Sequence, residues 1–183
     1  MFLENRRLST ILEHLTKDTP MASSSSETTT EHLMRELKPD DYHKSHLALL
    51  GDLTEVGKMT EDEYKRLFHN IFWDNTTKIY VIEKTIKNCR SEIISQYLVS
   101  SGTLLIEQKF IHKGGKVGHI EDIVTLKTER GYGFASKIIE QLIQTAKAQG
   151  CYKVILDCSE HNAGFYKGLG FVEKEKQMAF YLK

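Results

Sequence analysis

A chain of 183 residues, 40% hydrophobic and 27% charged, has the length and apolar content for one ordinary core, so a single globular domain is expected. Its 25 basic and 25 acidic residues balance to a formal net charge of +0, which gives no reason to expect a nucleic acid or a membrane surface as partner and suits a small neutral or anionic ligand. Cys89, Cys151 and Cys158 cannot all pair within one chain and lack the close spacing of a zinc knuckle, so reduced thiols, a cytoplasmic setting and no metal are expected.

In chain order, Glu4, Arg6 and Arg7 open a segment with neither the apolar run of a secretion signal nor a membrane span. Leu8, Ile11, Leu12 and Leu15 fall at helical spacing, and residues 21–30 are small and polar; residues 1–30 therefore read as a disordered or weakly helical extension to a domain over 31–183. Asp40 is placed to cap a helix carrying Tyr42, His46, Leu47 and Leu50. Thr60 and Glu63 form a T-x-x-E capping box for a second helix with Tyr64, Leu67, Phe68, Ile71 and Phe72 on one face. Strands are expected over 78–86 and 93–111, the second with Gly102 as a bulge, and over 119–126. Phe134, Ile138, Ile139, Leu142 and Ala146 mark a long helix ending at Gly150. A strand over 152–158, a helix over 162–169 and two short strands over 171–173 and 178–182 complete the chain. The expected order is helix, helix, three strands, helix, strand, helix, strand, strand, which makes one mixed sheet covered by helices.

Between the third strand and the long helix lies R-x-x-G-x-A, at Arg130, Gly133 and Ala135. Glycines let the main chain approach an anion, and the unpaired amides of a helix start supply donors, so this turn reads as a pyrophosphate nest. It is not a Walker A loop, because no G-K-[ST] closes it, nor a dinucleotide fingerprint, because a third glycine is missing. Glu121 and Asp122 stand just upstream and in an extended chain point to opposite faces. Asp157 ends the next strand; Tyr166 shares a helix face with Asn162 and could donate a proton to a leaving group. Lys109 and His112 could grip an anion, and His112 is a weaker candidate for a base. For each of these side chains alone, a solvated charge or an amphipathic core position is the bland alternative.

The nest at a helix start, followed by strand, turn and helix with Asn162 and Tyr166, resembles the acetyl-CoA site of the GNAT superfamily of N-acetyltransferases. Within it, G-H-I-E-D-I at residues 118–123, G-C-Y-K-V-I-L-D-C at 150–158 and N-A-G-F-Y-K at 162–167 are similar to the glucosamine 6-phosphate N-acetyltransferase family. The resemblance implies an α/β (α+β) GNAT fold, a mixed, mostly antiparallel sheet flanked by helices. It implies acetyl transfer from acetyl-CoA to the 2-amino group of glucosamine 6-phosphate by direct attack in a ternary complex, feeding UDP-N-acetylglucosamine synthesis. Arg130, Gly131, Gly133, Phe134, Ala135 and Ser136 would hold the pyrophosphate. The main chain of Ile123, Val124 and Leu126, with Asn162, would pair with the pantetheine arm. Tyr166 would serve the departing thiolate; Glu121, Asp122 and Asp157 would bind the sugar and orient its amine, and Lys109 would contact its phosphate.

The resemblance also implies a homodimer whose sites are completed across the interface. Val117 and the weakly basic end of the chain depart from the expected phosphate grip. Which carboxylate accepts the amine proton stays open. Two other functions fit the nest: a GNAT enzyme acting on another primary amine, such as a protein N-terminus or lysine, and a CoA-binding module without turnover.

Overall fold

The computed structural model describes residues 27–182. Most of the expected extension, with Leu8, Ile11, Leu12 and Leu15, lies outside the described residues.

Five strands lie side by side in chain order: β1 (Thr29–Glu36), β2 (Thr77–Lys87), β3 (Ile93–Gln108), β4 (Lys116–Thr125) and β5 (Cys151–Leu156). The first four are antiparallel, and β5 runs parallel to β4. That parallel step requires a crossover, which is the long helix α3 (Phe134–Ala148). Its stripe of Phe134, Ile138, Ile139, Leu142 and Ala146 packs on Ile82, Val99, Leu104 and Ile120 of the sheet. Burying each of the larger side chains is worth about 1.5–3 kcal/mol. Close approach of the helix depends on two glycines: a Cβ at Gly102 would stand 2.5 Å from both Ile123 Cδ1 and Ile138 Cγ2, and one at Gly118 would stand 3.2 Å from Ala146 Cβ of the helix.

On the opposite face, α1 (His46–Gly51) and α2 (Glu61–Phe72) cover Ile79, Val81, Leu98 and Val124. The capping box forms as expected: the Glu63 amide donates to Thr60 Oγ1 at 3.3 Å, and the Thr60 amide donates to Glu63 Oε2 at 2.8 Å. The Asp40 helix is broken instead. A 3-10 turn at Pro39–Lys44 ends at Ser45, whose φ of 63° cannot continue a helix, and α1 starts afresh after it.

Two differences from the expected order stand out. β1 precedes the helices and begins at Thr29, within the stretch read as extension; as an edge strand it is exposed along almost its whole length and carries no apolar alternation to betray it. At the other end, α4 (Glu160–Gly168) forms and Gly170 takes a φ of 90° beyond it, but residues 171–182 are not strands. Met178, Phe180, Tyr181 and Leu182 stand 88–93% exposed. A strand exists only against a neighbour, and among the described residues these pair with none.

Candidate active site

The centre of the site is a change of partners along β4. From Lys116 to Ile120 the strand is bonded to β3 on one side and β5 on the other; β5 pairing stops at Ile120 opposite Leu156. Beyond that point β4 keeps β3 alone. Between the pairs Thr103–Glu121 and Ser101–Val124, β3 spends one residue and β4 spends two. The bulge therefore belongs to β4, with Asp122 at φ 53°, and Gly102 lies opposite it rather than forming it. The bulge also breaks the simple alternation that would send Glu121 and Asp122 to opposite faces.

The free edge is specific about which groups it offers. The Leu126 amide donates to Val99 O at 2.9 Å, and Val124 O accepts from Ser100 Oγ at 2.9 Å, so both residues turn their main chain towards β3. By alternation, Ile123 and Thr125 face the open side. Of the three residues expected to pair with pantetheine, Ile123 lies on the open side with Thr125, whereas Val124 and Leu126 direct main-chain groups to β3. Thr125 O already accepts from Arg130 Nε at 3.3 Å, which draws the guanidinium along this edge.

Arg130 leads into the nest. Gly131 and Gly133 have φ of 89° and 74°, and nothing lies within 4 Å of where a Cβ would sit on either, so the turn is open to a ligand. Phe134 is buried as the first residue of α3, with Ala135 and Ser136 half-buried behind it in the first turn. The open edge at Ile123 and Thr125 and the donors of this helix start are the kinds of group that an extended amide-bearing arm and a diphosphate can use.

Three carboxylates gather where β4 and β5 part. The register sets Glu121 and Asp157 one step beyond the last pair, and Asp122 adjoins them. Glu121 is held above the usual carboxylate range, first by burial of its carboxyl and then by the charges of Asp157 and Asp122, although much of its side chain meets solvent. A carboxylate of raised basicity is suited to taking a proton. On α4, which follows β5, Tyr166 is half-buried with its ring 5.1 Å from Phe165 and 6.0 Å from Phe171. Burial, then the neighbouring Cys158, pushes the Tyr166 phenol up, so it stays protonated and able to donate at neutral pH. Asn162 lies one turn earlier and is exposed.

Lys109 and His112 are not brought to this place. Both follow the far end of β3, which pairs with the start of β4 at Gln108–Lys116; ten residues of strand, about 30 Å, separate that end from Thr125. Lys109 Nζ is occupied by Glu107 Oε2 at 2.5 Å, a carboxylate shared with His119, and the His112 ring lies 4.3 Å from that of Tyr152. A cavity of about 240 Å³ between the α1–α2 pair and the sheet reaches the bulge, with Asp122, Ser101 and Thr103 at one end and His46, Tyr64 and Phe68 among its walls. No sequence signal announced Thr125, Cys158 or this cavity, because each arises from strand register and helix placement.

A sequence profile of the acetyltransferase (GNAT) family matches residues 49–171, from α1 to the end of α4. The chain belongs to this family. Similar GNAT proteins include glucosamine 6-phosphate N-acetyltransferase of Arabidopsis thaliana, 39% identical over 81% of this chain and 95% of its own length. The Candida albicans enzyme of the same name is 37% identical over 80% and 93%. The crystal structure of the Arabidopsis enzyme superposes with a TM-score of 0.73, covering 84% of this chain and 99% of that one at 36% identity. The GNAT fold is thus the architecture described above, and the parting of β4 from β5 lies inside the matched region. Among the described residues no group of His, Cys, Asp and Glu is arranged to hold a metal ion, and no helix is long and apolar enough to cross a membrane.

Proposed function

We propose that the chain is an acyltransferase that moves the acetyl group of acetyl-CoA to the 2-amino group of glucosamine 6-phosphate, giving N-acetylglucosamine 6-phosphate for UDP-N-acetylglucosamine synthesis. The observation that carries the reading is the coincidence of a free β4 edge that leads to an open glycine nest with three neighbouring carboxylates where β4 and β5 part. Relatives named for this reaction align with the chain over nearly their whole length.

In this reading the nest amides and Arg130 bind the diphosphate, and Ile123 and Thr125 align the pantetheine arm. Asp122 and Asp157 orient the sugar. Glu121 accepts a proton from the ammonium, directly or through water, and the freed amine attacks the thioester carbon. As the C–S bond breaks, the sulfur takes the bonding pair and the proton of the Tyr166 hydroxyl, and the extra proton left on the nitrogen passes through water to the phenolate, leaving a neutral amide. No cysteine nucleophile takes part. The apolar residues 178–182 and the second edge of β5 pair with a second copy of the chain, which supplies the phosphate grip that Lys109 cannot; the enzyme works as a cytoplasmic homodimer.

The test is consumption of acetyl-CoA with glucosamine 6-phosphate, glucosamine, an N-terminal peptide and a lysine peptide as acceptors. Turnover with the sugar phosphate well above buffer is expected. A rate with it no faster than buffer would end the reading, turnover on a peptide alone would move the enzyme to another amine, and CoA binding without any product would leave a binding module.

A further inference from the structure

Immediately before Arg130 stands Glu129, a carboxylate only 6% exposed, in the 3-10 turn that delivers the chain to the nest. An unpaired negative charge there would oppose the diphosphate the nest is built to hold. It is paired: Lys84 Nζ on β2 lies 2.6 Å from Glu129 Oε1. Lys84 is itself set in a row across three strands, opposite His32 on β1 and Tyr97 on β3. Its ammonium lies 5.9 Å from the Tyr97 ring, and the His32 ring lies 4.8 Å from that of Phe134, the residue that opens α3. The row thus forms a floor beneath the nest, with one cation aimed at the one carboxylate in the approach turn.

We infer that Lys84 is a positioning residue for CoA: it neutralises Glu129 and fixes the turn, so that Arg130 and the glycine amides meet the diphosphate without a competing negative charge. The inference rests on the CoA-binding part of the proposed function. It makes a prediction with a sign. Removing the cation leaves a buried carboxylate beside the phosphate site, whereas removing the carboxylate leaves a cation there, so the two substitutions have unequal effects although they break the same pair.

The experiment is calorimetric titration of CoA into Lys84→Met, Glu129→Gln, the double variant and Lys84→Arg. Thermal melting confirms that each is folded, and turnover is compared between acetyl-CoA and acetyl-pantetheine, which lacks the diphosphate. Lys84→Met is expected to weaken CoA binding by about tenfold or more, with Glu129→Gln equal to or tighter than the unsubstituted protein, and the double variant and Lys84→Arg back within about threefold. Rates with acetyl-pantetheine should not separate the four. Equal weakening by both single variants, a double variant as weak as Lys84→Met, or the same loss with acetyl-pantetheine would overturn the inference. Should Lys84→Met fail to fold, Glu129→Gln alone decides: loss of CoA affinity overturns the inference, and retained or improved affinity supports it. Absence of CoA binding by the unsubstituted protein would refute the CoA-site reading itself, a result distinct from these.

Discussion

The two halves of β4 differ in almost everything that matters to a ligand. Lys116–Ile120 is bonded on both sides, lies under α3 and has no main-chain group to spare; Glu121–Thr125 is bonded on one side, carries a bulge with a left-handed aspartate and borders a cavity. Both halves belong to one strand, and the difference comes from β5 ending at Leu156 and from the one-residue register shift at the bulge. A site is made here by ending a pairing rather than by adding an element.

The largest expected effect comes from closing the open half. Gly133→Glu fills the nest, forces a side chain into φ 74° and adds a negative charge, and calorimetry should detect no CoA binding. Next is Tyr166→Phe, which leaves the edge and nest intact but removes the proton donor: kcat should fall roughly a hundredfold with the CoA Kd unchanged, and an unaltered kcat would return Tyr166 to a packing role.

His46 probes the layer beneath the bulge. Its imidazole is 4% exposed, with Nδ1 2.9 Å from the Tyr64 hydroxyl and Nε2 unpartnered, and burial lowers its pKa to about 4. Between that value and the unfolded value near 6.5, the unfolded chain binds a proton that the native chain does not. Stability therefore falls as pH drops through this window, by roughly 3 kcal/mol in all. Denaturant midpoints for His46→Phe should lose that part of the slope. The smallest effect tests the packing behind the bulge of the open half: Gly102→Ala drives a methyl into Ile123 and Ile138 and should cost about 2 kcal/mol in urea unfolding; a neutral result would show that α3 can lift away at little cost.

Much of this was legible in the chain. Helices with a wide apolar stripe and a cap, such as α2 and α3, and the interior strand β2 declared themselves by periodicity, and the nest by its glycines. β1 did not, because its outer edge meets water and its residues need only extend. The terminal strands were read from apolar content alone, which cannot say where a partner is to be found. Within the site, Glu121, Asp122 and Asp157 are neighbours where β4 and β5 part, as their places near the ends of successive strands suggested. Where Lys109 lies is something no local pattern contains: the antiparallel hairpin from β3 to β4 carries it to the end of the sheet away from the three carboxylates.

The contacts of Arg35 carry a different consequence. Its guanidinium donates to Asp41 at 2.7 Å and to Glu83, which also accepts from Lys44 Nζ at 2.7 Å and from Gln96. These groups tie the middle of β2 to the end of β1 and to the first turn of the excursion that carries α1 and α2, next to the neck where the Leu37 amide donates to Ile79 O at 2.9 Å. Tying a loop at its neck fixes its ends before its contents are ordered, so the closure entropy is already spent. The two helices over the cavity can then loosen and re-form as a local unit, while the strands that hold the nest stay in register.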